Sequence, residues 1–172
     1  MKEDVETMLP DLLPHFPHPG TVAWIGLRPA KRAPLTVVPE VLADPALGLW
    51  GDHYAGQSGK RHLSLIDHAH LAAIGEHLGR PPVDPGLLRR NLVIRGLNLL
   101  ALKGRRFRVG AALLEYTCLC HPCSRMEANL GPGGWNAMRG HGGIHARILE
   151  GGVIRLGDAV VVVEGAASER DD

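Results

Sequence analysis

The chain has 172 residues, of which 45% are hydrophobic, and its formal net charge at pH 7 is +1. This length and composition are sufficient for one domain with its own core, without support from disulfides or structural metals. A net charge so close to zero provides no field of one sign, so we expect neither a nucleic acid nor an anionic membrane as a partner.

The apolar runs are too short to cross a membrane. Runs such as Ala159 to Val163 fall far below the roughly 20 residues that a helical span needs. The N-terminus is acidic and broken by prolines, unlike a secretory signal. The three cysteines all lie between Cys118 and Cys123, so they do not form the dispersed framework of a secreted disulfide-rich domain. We therefore expect a cytoplasmic protein.

Composition divides the chain into an arm, a domain and a tail. Residues 1–20 are predicted to be a partly ordered arm, in which only Val5 to Leu13 could form a short amphipathic turn. Residues 21–165 are predicted to form the domain, and the charged residues 166–172 a frayed tail. The arm is interrupted by four prolines, namely Pro10, Pro14, Pro17 and Pro19.

Short strand-like runs separated by glycines dominate from Thr21 onward. Glu150-Gly151-Gly152 predicts a tight hairpin with a positive φ at glycine. The predicted strands are rich in β-branched and other apolar residues. They are Thr21 to Leu27, Leu35 to Leu42, His62 to Ile66, Asn91 to Arg95, Arg106 to Val109, Ala111 to Thr117, Gly143 to Leu149 and Val153 to Val163.

Helical patterns are scarce. One helix is predicted to begin after Asp67, an N-cap residue, and to stop at Gly79 before Pro81 and Pro82. A shorter helix is predicted near Pro122. Many short strands with few helices, and without regular βαβ alternation, predict an α+β fold. We expect a β-rich, mostly antiparallel barrel-like sheet with a few helices packed at its ends.

The densest cluster of reactive side chains runs from Cys118 to Glu127, between an apolar strand and the shorter helix. A cysteine at a helix N-terminus faces unpaired backbone N–H groups, and here Arg125 and His121 lie nearby, so Cys123 is the candidate thiolate. Cys118 is more simply interpreted as a small buried apolar side chain.

Two other chemistries remain open for this cluster. Cys120 and Cys123 have the C-x-x-C spacing of a thiol–disulfide pair, although no second motif supports that interpretation. A closed zinc site would need four ligands, and only His121, His141 or His145 could complete it.

Three further segments concentrate polar side chains. Arg89-Arg90-Asn91 leads into an apolar strand, and the planar arginine fork suits phosphate or carboxylate. Gly51-Asp52-His53 is typical of a shaped loop and precedes Lys60-Arg61-His62 at a strand start. The glycine-rich stretch from Gly131 to Gly143 lacks the pattern of a P-loop or a dinucleotide fingerprint, so it indicates close backbone approach and not a nucleotide. Solvated strand ends and ordinary turns are the structural alternatives.

Taken together, these segments resemble the MOSC domain, the family of the C-terminal domain of molybdenum cofactor sulfurases. The resemblance covers roughly Val22 to Val163 and implies a β-rich, barrel-like domain. It also implies that the cysteine matching Cys123 carries sulfur or ligates molybdenum in the pterin cofactor. The motifs that carry the resemblance are Gly51-Asp52-His53, Arg61 to Ile66, Arg89 to Ile94, Gly96 to Leu100, the Cys-x-Pro-Cys-type segment ending at Cys123, and Arg139 to Gly143.

The resemblance gives further residues an expected role at a molybdenum cofactor (molybdopterin) site. Cys123 is expected to be both metal ligand and catalytic residue, since a thiolate suits a soft metal. The other expected residues are cationic, amide or imidazole side chains. They are Arg61, Arg89 and Arg139 for the phosphate, Asn91 and Asn98 for the pterin edge, and His62 and His141 for proton transfer. Of the two histidines, His62 is also expected to contact the cofactor, and His141 is expected to be the second catalytic residue.

Two functions follow as hypotheses from different classes. The first is a molybdenum-dependent oxidoreductase that reduces N-hydroxylated small molecules with electrons from another protein. The alternative is a sulfur-carrier module that holds a persulfide on Cys123 for metal–sulfur cluster or cofactor assembly. We expect no pyridoxal phosphate domain in this chain, so the sulfur would come from a separate cysteine desulfurase. A thiol redox module that uses Cys120 and Cys123 is a weaker third hypothesis, and the sequence leaves the oligomeric state open.

Overall fold

The computed structural model describes residues 9–54 and 56–163. Residues 9–12 are helical, whereas the first part of the predicted Val5 to Leu13 turn and the predicted tail at 166–172 lie outside the described residues. The elements are β1 (Gly20–Leu27), β2 (Thr36–Val37), β3 (Glu40–Asp44), β4 (Gly48–Leu49), β5 (Leu63–Asp67), α1 (His68–His77), α2 (Pro85–Leu88), β6 (Leu92–Arg95), a 3-10 helix (Leu99–Leu102), β7 (Arg106–Val109), β8 (Ala112–Leu119), α3 (Ser124–Leu130), α4 (Gly134–Met138), β9 (Ile144–Glu150), β10 (Gly152–Arg155) and β11 (Ala159–Val162).

Seven strands close into a barrel in the order β11-β7-β8-β9-β5-β6-β1, and the pairing of β1 with β11 joins the two edges. Every neighbouring pair in the ring is antiparallel except β5 with β6, which is parallel. β2 pairs with β1 outside the ring, and β10, β3 and β4 form a separate small sheet. The predicted class, a β-rich α+β fold with a mostly antiparallel barrel, is confirmed.

The barrel interior is filled by apolar side chains from alternating strand positions. Phe107, Ile25, Leu65 and Leu114 are all fully buried in this cluster. Each such side chain contributes about 1.5–3 kcal/mol through its removal from water. The closed ring and its filled interior therefore give a rigid base on which the loops at the strand ends are held.

The helices pack outside the barrel against β5 and β6. Ile66 and Val93 point outward from these two strands and join a second apolar cluster with α1, α2, α3 and α4. The Asp67 carboxylate accepts a hydrogen bond from Ala69 N at 2.9 Å, which confirms the predicted start of α1. The shorter helix predicted near Pro122 is α3, whose N-cap is Cys123. Helix packing thus places the cysteine segment beside the barrel.

The predicted hairpin at Glu150-Gly151-Gly152 is wrong. β9 pairs with β5 and β8, whereas β10 pairs with β3, so the chain passes here from the barrel to the small sheet. Neither glycine has a positive φ. A Cβ atom on Gly152 would lie 2.7 Å from the Ala111 Cβ, and one on Gly151 would lie 2.9 Å from the Ala43 carbonyl oxygen. Close packing, not turn geometry, requires glycine at both positions.

Candidate functional site

Two adjoining cavities open where β1 ends and β5 begins, and they share Arg28 and His53. We call them the large cavity, of about 610 Å³, and the small cavity, of about 190 Å³. No acidic side chain is among the described residues that line either one. The large cavity is lined by Arg28, His53, Tyr54, Gly56, Ser58, Lys60, Arg61, Leu63, Ser64, Asn91 and His145. The small cavity is lined by Arg28, Ala30, Lys31, Arg32, His53, Arg89 and Arg125.

A third space of about 680 Å³ lies away from these residues, between the proline-rich segment that precedes β1 and the β11 strand. Its lining is mostly apolar, with Phe16, Leu97 and the valines of β11. It contains none of the residues predicted to bind the cofactor or to act in catalysis. The two cationic cavities are therefore the candidate site.

A buried network fixes Arg28 in the wall between the two cavities. The Asp52 carboxylate accepts hydrogen bonds from the Arg28 guanidinium, at 3.1 Å from Nε and 2.7 Å from Nη2, and from the Arg28 backbone N at 2.7 Å. Asn91 Nδ2 donates to the same carboxylate at 3.2 Å, and Asn91 Oδ1 accepts from Ser64 N at 3.0 Å. The Asp52 side chain is completely buried, so its charge is compensated within this network. One cation is thereby held in reach of both cavities.

Five cationic side chains surround the small cavity: Arg28, Lys31, Arg32, Arg89 and Arg125. Arg32 and Arg89, with φ angles of 66° and 56°, are the only two non-glycine residues of the described ranges in the left-handed region. Such backbone strain is concentrated at functional sites. Arg89 Nη1 donates to the Ala33 carbonyl at 2.8 Å and so ties the loop after β1 to the end of α2.

The cations of the small cavity repel one another. Burial lowers the pKa of Arg89, and the positive charges of Arg28 and Arg125 lower it further. Asp52 acts in the opposite direction, but its charge is already paired with Arg28. Apart from Arg28, these cations form no ion pair with an acidic side chain of the described residues, so the group provides a site for an anion.

The large cavity combines cations with a neutral imidazole. Lys60 and Arg61 line it opposite His145, which lies on β9 next to Ser64 of β5. Burial lowers the pKa of His145 to about 4, and the charges of Arg61 and Arg90 contribute to that shift. His145 Nδ1 is buried and has no hydrogen-bond partner among the described residues. The ring therefore lines the cavity without adding positive charge at neutral pH.

The depressed pKa of His145 predicts a loss of stability in acid. Below its ordinary pKa of 6.5, the imidazole is protonated in the unfolded chain before it is protonated in the fold. The free energy of unfolding should therefore fall as the pH decreases from about 6.5 to about 4. Urea midpoints at several pH values would measure this slope, and His145→Gln should flatten it. An unchanged slope in the variant would assign the acid sensitivity elsewhere, for example to His62 or His141, whose pKa values are also lowered by burial.

The three cysteines differ in exposure. Cys118 is half-buried, Cys120 is buried and Cys123 is exposed, and all three are free thiols. Burial raises the pKa of Cys120, and its backbone N donates to the Gly143 carbonyl at 2.8 Å. A raised thiol pKa disfavours Cys120 as the attacking thiolate of a redox pair. Cys123 is therefore the thiol that solvent, a ligand or a partner can reach.

Arg90 anchors the cysteine segment to the glycine-rich loop. Its buried guanidinium donates to the Gly142 carbonyl at 2.7 Å, to the Leu88 carbonyl at 2.6 Å and, more distantly, to the Cys120 carbonyl at 3.5 Å. Two residues after Cys123, the Arg125 side chain reaches the small cavity. The exposed thiol and the cation cluster therefore share the first turn of α3.

The structure brings three of the predicted cofactor residues together around Arg28, namely Arg61, Arg89 and Asn91. They do not serve one cavity, because Arg61 and Asn91 line the large cavity and Arg89 the small one. The Asn91 amide is already bonded to Ser64, Gly26 and Asp52.

Cys123 and the four other predicted residues do not line either cavity. His62 Nδ1 accepts from Ile148 N at 3.0 Å, and Asn98 Oδ1 caps the 3-10 helix by accepting from Leu100 N at 3.1 Å. Arg139 lies over the Trp135 ring, 5.3 Å from its centroid. The His141 ring contacts His70 and His77, with centroid distances of 4.8 and 5.2 Å. All four side chains make structural contacts.

No group of three or more histidine, cysteine or acidic side chains in residues 9–54 and 56–163 is arranged to hold a metal ion. The closed zinc site considered from the sequence thus has no ligand set there. The same part of the chain contains no helix that is both long and apolar enough for a membrane span.

Several lining residues had no role in the sequence analysis. Arg28, Lys31 and Arg32 follow β1 directly, and the position of a cation immediately after a strand was the available signal. His145 was considered only as a zinc ligand. Its place in the middle of a predicted strand gave no indication that its ring reaches a cavity.

A family model described as the MOSC domain matches residues 50–161, which is more than half of the chain. The chain belongs to the MOSC domain family. A search of curated proteins found no match to this MOSC protein.

Solved structures with the same MOSC fold come from several bacteria. YuaD from Bacillus subtilis superposes with a TM-score of 0.72 at 19% identity, over 84% of this chain and 96% of that one. YiiM from Geobacillus stearothermophilus gives 0.69 at 23%, over 85% and 76%. YiiM from Escherichia coli gives 0.70 at 20%, over 87% and 72%. At these identities the likeness shows the fold alone.

Proposed function

We propose that this MOSC protein binds the molybdenum cofactor, with the cofactor phosphate in the small cavity and Cys123 as the protein ligand of molybdenum. The observation that carries this proposal is a set of five cations around a space of about 190 Å³, of which only Arg28 has an acidic partner among the described residues, with an exposed thiol two residues from Arg125. Three of these cations, Arg28, Arg89 and Arg125, can hydrogen-bond a phosphate through two nitrogens each.

The residues present fit the cofactor at both ends. A thiolate is a ligand that a soft metal accepts, and Cys123 is not enclosed by aliphatic side chains. The cofactor, when bound, supplies the redox chemistry. We propose the reduction of N-hydroxylated small molecules as the reaction, with electrons from a partner protein.

Phosphate binding to the metal-free protein tests the phosphate end of the site. Inorganic phosphate should raise the melting temperature of the wild type. When the phosphate concentration is 100 times the dissociation constant, binding at one site adds about 2.7 kcal/mol to the free energy of unfolding. Arg125→Gln should lose the part of this gain that comes from binding in the small cavity. Because the substitution also removes one of the mutually repelling cations, the variant without phosphate should be as stable as the wild type or slightly more stable.

Arg155→Gln is a matched control, since Arg155 is an exposed cation that pairs with Glu40 at the surface. An equal response to phosphate in the wild type and Arg125→Gln would contradict the assignment of the small cavity. Production in a host that makes molybdopterin tests the whole proposal. Wild type should copurify with molybdenum and pterin in equal amounts, and Arg125→Gln should retain less of both.

The exposure of Cys123 favours a sulfur carrier as the second candidate function, because a persulfide donor must reach the acceptor thiol. Incubation with a cysteine desulfurase and cysteine would then add sulfur to wild type and to Cys120→Ala, but not to Cys123→Ala. Intact mass measures the adduct. Absence of added sulfur on wild type would exclude the carrier.

A further inference from the structure

The large cavity has a second set of cations that a phosphate in the small cavity does not use. Lys60 and Arg61 line the large cavity and not the small one, whereas Arg28 lines both. Neither makes an ion pair with a described residue, and no described acidic side chain lines this space. Because Arg28 is fixed by Asp52, one compact anion in the small cavity leaves Lys60 and Arg61 without a counter-charge.

The loop that carries Lys60 is held in place from several sides. Gly59 N donates to the Tyr54 hydroxyl at 2.9 Å, and Lys60 N donates to the Ser58 hydroxyl at 3.3 Å. The Lys60 carbonyl accepts a hydrogen bond from the Thr117 hydroxyl of β8. A solvated surface lysine does not need such support. The hydrogen bonds position the backbone of Lys60, and therefore of Arg61, at the cavity wall.

The pKa of His145 reflects the positive electrostatic potential in the large cavity. Burial and the charges of Arg61 and Arg90 lower the pKa of His145, so its ring is neutral at neutral pH. The contribution of Arg61 and Arg90 means that their positive potential extends to the His145 ring. Its buried Nδ1 also lacks a partner among the described residues. A neutral imidazole has a single N–H, which the backbone of Leu63 engages, so Lys60 and Arg61 are the groups that bind an anion here.

We infer that the substrate of this protein carries its own anionic group, a carboxylate or a phosphate, which Lys60 and Arg61 bind in the large cavity. The assignment of this group to the substrate rests on the proposed function, in which the cofactor phosphate occupies the small cavity. The existence of a second anion site does not rest on it. The substrate class is thus narrowed to small molecules that are negatively charged at neutral pH.

Phosphate titration of the metal-free protein, followed by calorimetry, tests the second site. Wild type should bind two phosphates per chain. Arg61→Gln and Arg125→Gln should each weaken binding at one site by about tenfold or more, the cost of a lost charge-assisted hydrogen bond, and the two variants should affect different sites. Arg108→Gln should still bind two, because Arg108 pairs with Glu150 at the exposed surface.

A single phosphate per wild-type chain, with an affinity that Arg61→Gln leaves unchanged, would overturn the second site. Lys60→Gln provides an independent variant if Arg61→Gln does not fold by circular dichroism. The phosphate titration uses protein without cofactor, so its result does not depend on the proposed function. The proposed function itself fails if wild type from a host that makes molybdopterin contains neither molybdenum nor pterin.

Cofactor-loaded protein distinguishes the two sources of the second anion. If the anion belongs to the substrate, loaded wild type should still bind one phosphate, and Arg61→Gln should weaken that binding by about tenfold or more. If loaded wild type binds none and the extracted cofactor carries a nucleotide with a second phosphate, the second anion belongs to the cofactor and the inference about the substrate is overturned.

Discussion

Asp52→Ala should destabilise the protein by about 3 kcal/mol, because it leaves the Arg28 guanidinium without its carboxylate partner. The Asp52 side chain is completely buried, and it also accepts the Asn91 amide. The value lies at the lower end for a buried pair, since the Arg28 side chain is 27% exposed and water can reach it. For a chain of this length the melting temperature should fall by roughly 6–12 °C.

Urea unfolding measures this loss, and Glu115→Ala is the matched control. Glu115 pairs with Arg106 at 3.1 Å on the surface, where an ion pair contributes about 1 kcal/mol or less. The released Arg28 should also bind phosphate more weakly in both cavities. If Asp52→Ala costs no more stability than Glu115→Ala, the network that fixes Arg28 does not have the role described here.

Cys123→Ala should lose molybdenum by at least about tenfold when it is produced in a host that makes molybdopterin. Loss of groups that only orient a metal ligand already costs 10–100-fold, so loss of the ligand itself should cost no less. Metal analysis of the purified protein measures the effect. The fold should be unaffected, since the Cys123 side chain is exposed and makes no capping hydrogen bond.

Cys118→Ala is the control for this experiment, because Cys118 lies on β8 and is half-buried. It should retain molybdenum at the wild-type level. A Cys123→Ala protein with full molybdenum content would contradict the proposed ligand, whatever the small cavity binds.

Local sequence signals predicted most of the fold. Most strands were predictable because β-branched runs end at glycines, and α1 because Asp67 caps it. The predicted strands Leu35 to Leu42 and Val153 to Val163 were wrong in one respect, since each contains two strands that belong to different sheets. Four short elements, β4, α2, the 3-10 helix and α4, were not predicted. α4 lies within the glycine-rich stretch, where tertiary packing stabilises a helix against the low helix propensity of glycine. Gly151 and Gly152 were misinterpreted because the need for close packing cannot be distinguished locally from the need for a turn.

The candidate site was only partly predictable. Arg61 and Arg89 were selected because cations at strand starts and the family resemblance both indicated them, and each lines a cavity. Arg28 and His145 were missed because their roles depend on long-range pairing, through Asp52 in one case and β5 in the other. His62 and Asn98 satisfy backbone groups, and a single sequence cannot separate such a task from ligand binding.

The sulfur ligands of molybdenum provide the most direct test of the central claim, that Cys123 completes the metal site beside the small cavity. X-ray absorption at the molybdenum edge counts these ligands in protein purified from a competent host. We expect each molybdenum atom in the wild type to have one more sulfur ligand than the molybdenum that remains bound in Cys123→Ala. Equal sulfur counts in the two proteins, or wild type without molybdenum, would contradict the account.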